Sequence, residues 1–98
     1  MRGLYLVTPN WDDTERLLQV TAAGLRGGAV LVQYRHKEAD AGLRFEQASA
    51  LLALCRRHRT PLIINDHLDL CLTLDADGVH LGGADGDQIG RASCRERV

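Results

Sequence analysis

The sequence predicts an α/β fold in which the order βαβαβαβ forms the first half of a (β/α)8 barrel. Short apolar segments rich in strand formers alternate with segments whose apolar residues recur at helical spacing. The connections between these segments are short, which favours parallel strands joined by right-handed helical crossovers. Polar residues gather at the carboxyl ends of successive predicted strands, as they do at the active-site face of such a barrel.

The first predicted strand covers residues 4–8, and Pro9 and Asn10 end it. Asp12, Asp13 and Thr14 are candidate N-caps for the helix that follows. That helix has apolar residues at helical spacing up to position 25, and the glycines at 27–28 favour its termination.

The second predicted strand covers residues 29–35, and after a polar loop a second helix follows. Its apolar stripe consists of Phe45, Ala48, Leu52 and Cys55. The helix ends in the basic run 56–59, where positive charge suits the negative end of the helix dipole. A third strand at 62–64, a short helix at 68–74 and a fourth strand at 78–81 complete the pattern.

The second strand has two chemically different faces, because side chains alternate along a strand. One face is suited to packing under helices and contains Val30, Val32 and Tyr34. The other face becomes polar toward the carboxyl end of the strand and contains Leu31, Gln33 and Arg35.

Polar residues also follow the third and fourth strands, at Asn65, Asp66, His80 and Asp85. An open doubly wound sheet would concentrate such residues at one switch point, whereas a barrel distributes them over successive strand ends. The sequence therefore favours the barrel.

Gln33, Arg35 and Lys37 place an amide and two cations at alternating positions, where all three could face one ligand. Arginine forms paired hydrogen bonds with phosphate oxygens and lysine supplies a point charge, so the set fits a diphosphate. The alternative is that both cations extend into solvent beyond the strand end.

Asp66 and Asp85 could supply the oxygen ligands of a Mg²⁺ site together with a diphosphate. The alternative is that each caps a helix N-terminus. His80 is interpreted as a barrel-interior residue satisfied by its neighbours rather than as a base. Trp11 is expected to pack on the first helix, with a ligand-covering role as the alternative.

Composition excludes several classes of partner. Twelve basic and thirteen acidic residues give a net charge of -1, which provides no field for nucleic acid or an anionic membrane. No apolar run is long enough to cross a bilayer and the N-terminus does not resemble a signal peptide, so a cytoplasmic location is expected. The three cysteines are widely spaced and form no CxxC motif, so we expect reduced thiols without a disulfide framework or a zinc site.

Four segments, LYLVTP, GGAVLVQYRHK, LIINDHLDL and DGVHLGGAD, resemble the thiamine-phosphate synthase family in order and spacing over residues 3–85. The family, which includes a thiazole tautomerase branch, has a TIM-type barrel. Its synthases join 4-amino-2-methyl-5-(diphosphooxymethyl)pyrimidine to thiazole phosphate and release pyrophosphate. Where the family commonly has Gln, this chain has Gly83.

The resemblance implies a role for each matched position. The substrate-binding residues would be Gln33, Tyr34, Arg35, His36, Lys37 and Asn65. Asp66 and Asp85 would hold Mg²⁺, the expected cofactor. No protein nucleophile is required, because Arg35 and Lys37 would stabilise the departing pyrophosphate while the thiazole nitrogen captures a pyrimidine-methyl cation.

Two other functions remain open. The tautomerase branch shares the barrel but usually alters the pyrimidine-diphosphate and Mg²⁺ positions, so the residues at 33–37 and Asp85 favour the synthase. A non-catalytic phosphate-binding module, in which two half barrels assemble into one, is the third hypothesis.

The expected domain covers residues 1–87 as the N-terminal half of a truncated barrel. Residues 88–98 have no apolar periodicity and resemble the translation of a sequencing adapter, so we expect a non-native tail; a genuine basic tail is the alternative. Half a barrel leaves its inner sheet face uncovered, so the chain alone is expected to be inactive. A homo-oligomer is compatible with the sequence, which does not determine the oligomeric state.

Overall fold

The computed structural model describes residues 3–80 and the short segment Arg91–Ala92. Strands and helices alternate as β1 (Leu4–Val7), α1 (Thr14–Arg26), β2 (Ala29–Tyr34), α2 (Ala41–Arg57), β3 (Leu62–Asn65), α3 (Leu68–Leu74) and β4 (Gly78–His80). These four strands are adjacent in chain order, and each neighbouring pair is parallel. The predicted βαβαβαβ order is therefore confirmed.

A two-residue strand, β5 (Arg91–Ala92), pairs with β4 in the antiparallel direction. Val79 lies opposite Ala92 and His80 lies opposite Arg91. The sequence did not predict this strand, because two residues are too few to show a periodic pattern. It follows the four predicted strands, to which the expectation of parallel pairing applied.

The helix ends follow local capping chemistry. Asp13 caps α1 by accepting a hydrogen bond from the Arg16 amide at 3.2 Å, and Gly27 is the C-cap that ends α1, as predicted. Asp40 caps α2 in the same way, accepting from the Leu43 amide at 2.8 Å. These caps fix where each crossover helix begins relative to the strand before it.

The hydrophobic core lies between the three helices and one face of the sheet. Its fully buried side chains include Leu17, Val32, Leu51, Leu62, Ile64 and Val79. At about 25 cal/mol per Å² of apolar surface, each such side chain stabilises the fold by about 2 kcal/mol before entropy is counted. The even-numbered positions of β2 and β3 thus face the helices.

The opposite face of the sheet is apolar near its middle and open at β1. Because side chains alternate and Leu6 packs on the helix-side core, Tyr5 and Val7 belong to this second face. Both are 49% exposed. Their β2 partners are Leu31 and Gln33, both half-buried. In a closed barrel this face would be the interior.

The predicted stripe on α2 is correct at three of its four positions. Ala48, Leu52 and Cys55 are buried, whereas Phe45 is 48% exposed. Phe45 lies at the edge of the helix, where it lines a groove with His67 and other residues near α3. A single helical stripe cannot show which of its flanks will be covered by a neighbouring helix.

Of the three cysteines, Cys55 is a free, fully buried thiol. Cys71 is disulfide-bonded, and Cys94 lies outside the described residues. The expectation of reduced thiols is confirmed for Cys55 and wrong for Cys71. Spacing along the chain does not show which sulfurs come within bonding distance after folding.

None of the helices in the described part combines the length and the apolar character needed to span a membrane.

Candidate functional site

A depression of about 370 Å³ lies at the carboxyl ends of the parallel strands. It is lined by Val7, Gln33, Arg35, Asn65, Asp66 and His80. These residues come from the ends of β1, β2, β3 and β4 or from the positions directly after them. Successive parallel strands bring their carboxyl ends to one edge, so residues far apart in sequence meet there.

Asn65 is at the centre of the polar network in this depression. Its side-chain oxygen Oδ1 accepts a hydrogen bond from Nε2 of Gln33 at 3.4 Å and lies 3.3 Å from Nδ1 of His80. Because a carboxamide oxygen only accepts, the proton of the His80 contact resides on Nδ1. Asn65 therefore holds the ends of three neighbouring strands in a fixed relation.

Asp66 projects from a strained turn directly after β3. Its φ is 65°, in the left-handed region that aspartate tolerates better than most residues. Its amide donates to the His80 carbonyl at 2.8 Å, and its carboxylate accepts from Nδ2 of Asn65 at 3.1 Å. Such strain persists only where surrounding contacts enforce it, here the backbone of β4 and the Asn65 amide.

Asp66 is not the N-cap of α3, which was the alternative role for this residue. The N-cap of α3 is His67, which makes no side-chain capping hydrogen bond. Asp66 is exposed and lines the depression instead. Its carboxylate thus lies at the depression and does not cap the helix.

The two predicted cations differ in placement. Arg35 is half-buried and lines the depression, whereas Lys37 is exposed and lies farther along the loop between β2 and α2. The amide of Arg35 donates to Oγ1 of Thr8 at 3.0 Å, and the amide of Lys37 donates to Oδ1 of Asn10 at 3.1 Å. Both backbone positions are thus tied to the loop that follows β1.

Tyr34 lies on the other face of the sheet from the depression. It is 2% exposed, and its hydroxyl donates a hydrogen bond to Oε1 of Gln47 at 2.8 Å. Burial raises its pKa to about 12, a rise that the charge of Asp12 reinforces and that of Arg44 opposes. The hydroxyl therefore stays protonated and keeps its role as a donor.

His36 is also buried away from the depression. Its Nδ1 accepts from the Glu38 amide at 3.3 Å, and its Nε2 lies 2.8 Å from Oδ1 of Asp12. The structure therefore brings Gln33, Arg35, Asn65 and Asp66 together, but not Tyr34 or His36.

Two further sequence expectations concern Asp85 and Trp11. Asp85, the second expected metal ligand, lies outside the described residues. Trp11 packs on the first helix as expected, with the Arg16 guanidinium 4.7 Å from its ring centroid. Arg16 is on the first turn of α1, so this contact joins the loop after β1 to the helix.

Sequence reasoning missed the part that the loop after β1 plays. Thr8, Asn10 and Asp12 make hydrogen bonds to the loop after β2, whereas the sequence indicates only a strand end, a turn residue and a candidate cap at these positions. Adjacent parallel strands place consecutive loops side by side, and this was the available signal. Which side chain reaches which backbone group depends on loop geometry that no pattern encodes.

Comparison with known proteins gives consistent results. The family model described as thiamine monophosphate synthase matches residues 4–97. Thiamine-phosphate synthase of Janthinobacterium sp. (strain Marseille) is 62% identical over 85 residues, which cover 87% of this chain and 41% of the relative. Thiamine-phosphate synthase of Aromatoleum aromaticum is 53% identical over 87 residues, or 89% of this chain and 42% of the relative.

The solved structure of thiamine phosphate pyrophosphorylase from Pyrococcus furiosus superposes with a TM-score of 0.72 at 31% identity, covering 82% of this chain and 39% of that one. The fold is thus a truncated TIM-type barrel, as predicted. The chain spans about two fifths of the length of these proteins. A family model matched over nearly the whole chain shows that this chain belongs to the thiamine monophosphate synthase family.

Proposed function

We propose that a full-length protein carrying residues 3–80 is a thiamine-phosphate synthase. It would join 4-amino-2-methyl-5-(diphosphooxymethyl)pyrimidine to thiazole phosphate and release pyrophosphate. The observation that carries the proposal is the meeting of Gln33, Arg35, Asn65 and Asp66 in one depression at the strand ends. The synthase names of the relatives described above support the same reaction.

The lining residues suit the two chemical parts of the pyrimidine substrate. The amides of Gln33 and Asn65 are oriented by their mutual hydrogen bond, and Oε1 of Gln33 can accept from an exocyclic amino group. Arg35 supplies a planar guanidinium that matches phosphate oxygens, with Lys37 as a second cation nearby in sequence. Neutral polar and cationic contacts are thus available at the same strand ends.

The donor set partly fits a magnesium ion. Asp66 supplies an exposed carboxylate, and carboxylate and phosphate oxygens are the ligands that Mg²⁺ prefers. Among the described residues, no group of three or more His, Cys, Asp or Glu side chains could hold a metal ion. Asp66 would therefore hold Mg²⁺ together with Asp85 and diphosphate oxygens. When bound, Mg²⁺ neutralises charge on the diphosphate.

The protein's own part in the reaction is to bind, orient and neutralise. The bond between the pyrimidine methylene carbon and the diphosphate oxygen breaks with its electron pair going to the diphosphate. The thiazole nitrogen then forms the new carbon–nitrogen bond. Arg35 and Lys37 stabilise the negative charge that develops on the leaving group.

The test uses a full-length family protein that carries residues 3–80, such as a chimera with the remaining part of the Janthinobacterium relative. Both substrates are supplied with Mg²⁺, and thiamine phosphate and pyrophosphate are measured together. We expect equimolar formation of the two products. Arg35→Gln should lower kcat/KM at least about a hundredfold, because a charged contact to the leaving group is lost. Arg57→Gln, at the exposed end of α2, is the matched control.

A folded protein that forms no thiamine phosphate contradicts the proposal. Isomerisation of the thiazole without coupling would instead support the tautomerase function. Equal losses in Arg35→Gln and Arg57→Gln would show that Arg35 does not act on the diphosphate.

A further inference from the structure

We propose that Asn10 and Asp12, in the loop between β1 and α1, are positioning residues for Arg35 and Lys37. This inference rests on the proposed function, because it concerns how the cations of the diphosphate site are held. Neither Asn10 nor Asp12 lines the depression. They act on the loop between β2 and α2 through hydrogen bonds.

The loop between β2 and α2 is hydrogen-bonded to the loop between β1 and α1 through three consecutive residues, Arg35, His36 and Lys37. Oγ1 of Thr8 accepts from the Arg35 amide at 3.0 Å and lies 3.4 Å from the Arg35 carbonyl, to which it donates. Oδ1 of Asn10 accepts from the Lys37 amide at 3.1 Å. His36, which lies between Arg35 and Lys37, is held through its side chain. The backbone on both sides of position 36 is thus tied to one neighbouring loop.

The contact between His36 and Asp12 has a defined donor. Nδ1 of His36 accepts from the Glu38 amide, so the ring is the neutral tautomer with its proton on Nε2. Nε2 then donates to Oδ1 of Asp12 at 2.8 Å. The side chain of Asp12 is 83% exposed, so its charge is screened and its effect lies in the geometry of this hydrogen bond.

The first loop is itself anchored to the protein interior. The Trp11 carbonyl accepts from Nε2 of Gln47 at 2.8 Å, and Gln47 is fully buried on α2. Oε1 of the same side chain accepts from the Tyr34 hydroxyl. Asn10 and Asp12, on either side of Trp11, are therefore attached to a fixed support rather than to a free loop.

The consequence concerns the cost of binding a diphosphate. Lys37 is an exposed side chain on a loop, and ordering such a chain reduces the gain from its charge. Fixing the backbone at Arg35 and Lys37 in advance removes part of that cost. Loss of the support should therefore weaken binding of the diphosphate substrate more than it slows the bond-breaking step, because the diphosphate is already negatively charged when it binds.

The experiment uses the full-length family protein carrying residues 3–80, with variants Asn10→Ala, Asp12→Ala and Asp12→Asn. For the two alanine variants, losing one hydrogen bond should raise KM for the pyrimidine diphosphate by about fivefold to tenfold. Their kcat should change less than about threefold, since the diphosphate carries most of the negative charge that Arg35 and Lys37 contact already in the ground state. KM for thiazole phosphate should stay unchanged. Asp12→Asn should behave like the parent, because its amide oxygen can still accept from Nε2 of His36. Glu15→Ala, exposed on α1, is the control.

Hydrogen exchange at the Lys37 amide gives a readout that does not depend on activity. We expect faster exchange in Asn10→Ala than in the parent or in Glu15→Ala. Unchanged exchange, or unchanged KM in an active protein, overturns the positioning role. Equal losses in Asp12→Ala and Asp12→Asn overturn the hydrogen-bond account of Asp12. If the parent forms no thiamine phosphate but exchange at Lys37 still rises in Asn10→Ala, the proposed function fails and the loop restraint stands.

Discussion

The hydroxyl of Tyr34 donates a hydrogen bond of 2.8 Å to Oε1 of Gln47, and both side chains are buried between the sheet and α2. The pair joins β2 to the helix that follows it. Since the Gln47 amide also supports the loop after β1, Tyr34 contributes to the site from behind the sheet. We therefore expect Tyr34 to stabilise the fold, whereas the family resemblance implies that it contacts the substrate.

Tyr34→Phe should lower the free energy of unfolding of the full-length protein by about 1–2 kcal/mol, because Oε1 of buried Gln47 loses its donor. KM for the pyrimidine diphosphate should remain within about twofold of the parent, since a buried side chain on the helix side makes no substrate contact. Urea unfolding measures the change in the free energy of unfolding, and steady-state kinetics measure KM. A large rise in KM with unchanged stability would restore the substrate-binding role.

Alkaline pH should destabilise the fold through two buried groups. Burial raises the pKa of Cys55 from 9.0 to about 12, with the Asp77 charge adding to the effect. The folded state therefore holds this proton more tightly than the unfolded state does. Stability from this group is fully present below pH 9 and is lost as the pH rises toward 12. Burial likewise raises the pKa of Tyr34 from 10.0 to about 12, so the stability that its phenol contributes is also lost as the pH rises above 10.

The measurement is the urea midpoint of the full-length protein at several pH values between about 8 and 11, where the unfolded thiol and phenol ionise. We expect the midpoint to fall over this range. Cys55→Ala should remove the first part of the fall, between about pH 9 and 10, because no buried thiol remains at position 55 to titrate. A parallel curve for Cys55→Ala and the parent would show that Cys55 does not contribute.

Asp66 and Cys55 also allow a comparison between a site residue and a core residue. Asp66→Ala should lower kcat at least about a hundredfold in the full-length protein, since the carboxylate would hold the Mg²⁺ that neutralises the leaving pyrophosphate. Cys55→Ala should cost about 1–2 kcal/mol of stability through lost packing and leave kcat nearly unchanged. Turnover at saturating Mg²⁺, measured with thermal unfolding, separates the effects. Equal losses of turnover would remove the metal-binding role from Asp66.

Strand alternation was enough to predict how the sheet divides its side chains. Gln33 and Arg35 lie at the depression while Tyr34 lies under α2, as the pattern of β2 indicates. The resemblance to a family motif, read as a continuous segment, grouped Tyr34 and His36 with the ligand residues. A contiguous motif can thus mix residues that line the depression with residues that are buried behind the sheet.

The sequence could not predict the contacts between the loops. The hydrogen bonds of Asn10 to Lys37 and of Asp12 to His36 join residues 24 or more positions apart. They depend on the path of two irregular segments, for which no periodicity exists. The left-handed backbone of Asp66 was equally hidden, because several turn types accept aspartate.

The 98-residue chain alone should form no thiamine phosphate and should associate in solution. Tyr5 and Val7 are half-exposed on the inner sheet face, and among the described residues β1 pairs only with β2, so an apolar face and a strand edge both favour contact with other chains. Catalysis should fail independently, because the chain spans only about two fifths of its relatives and does not supply the rest of the barrel's strand ends. Light scattering and Mg²⁺-dependent pyrophosphate release measure the two effects. Product formation by this chain would contradict the requirement for the remaining strands, whereas a soluble, inactive dimer would favour the assembly of two half barrels.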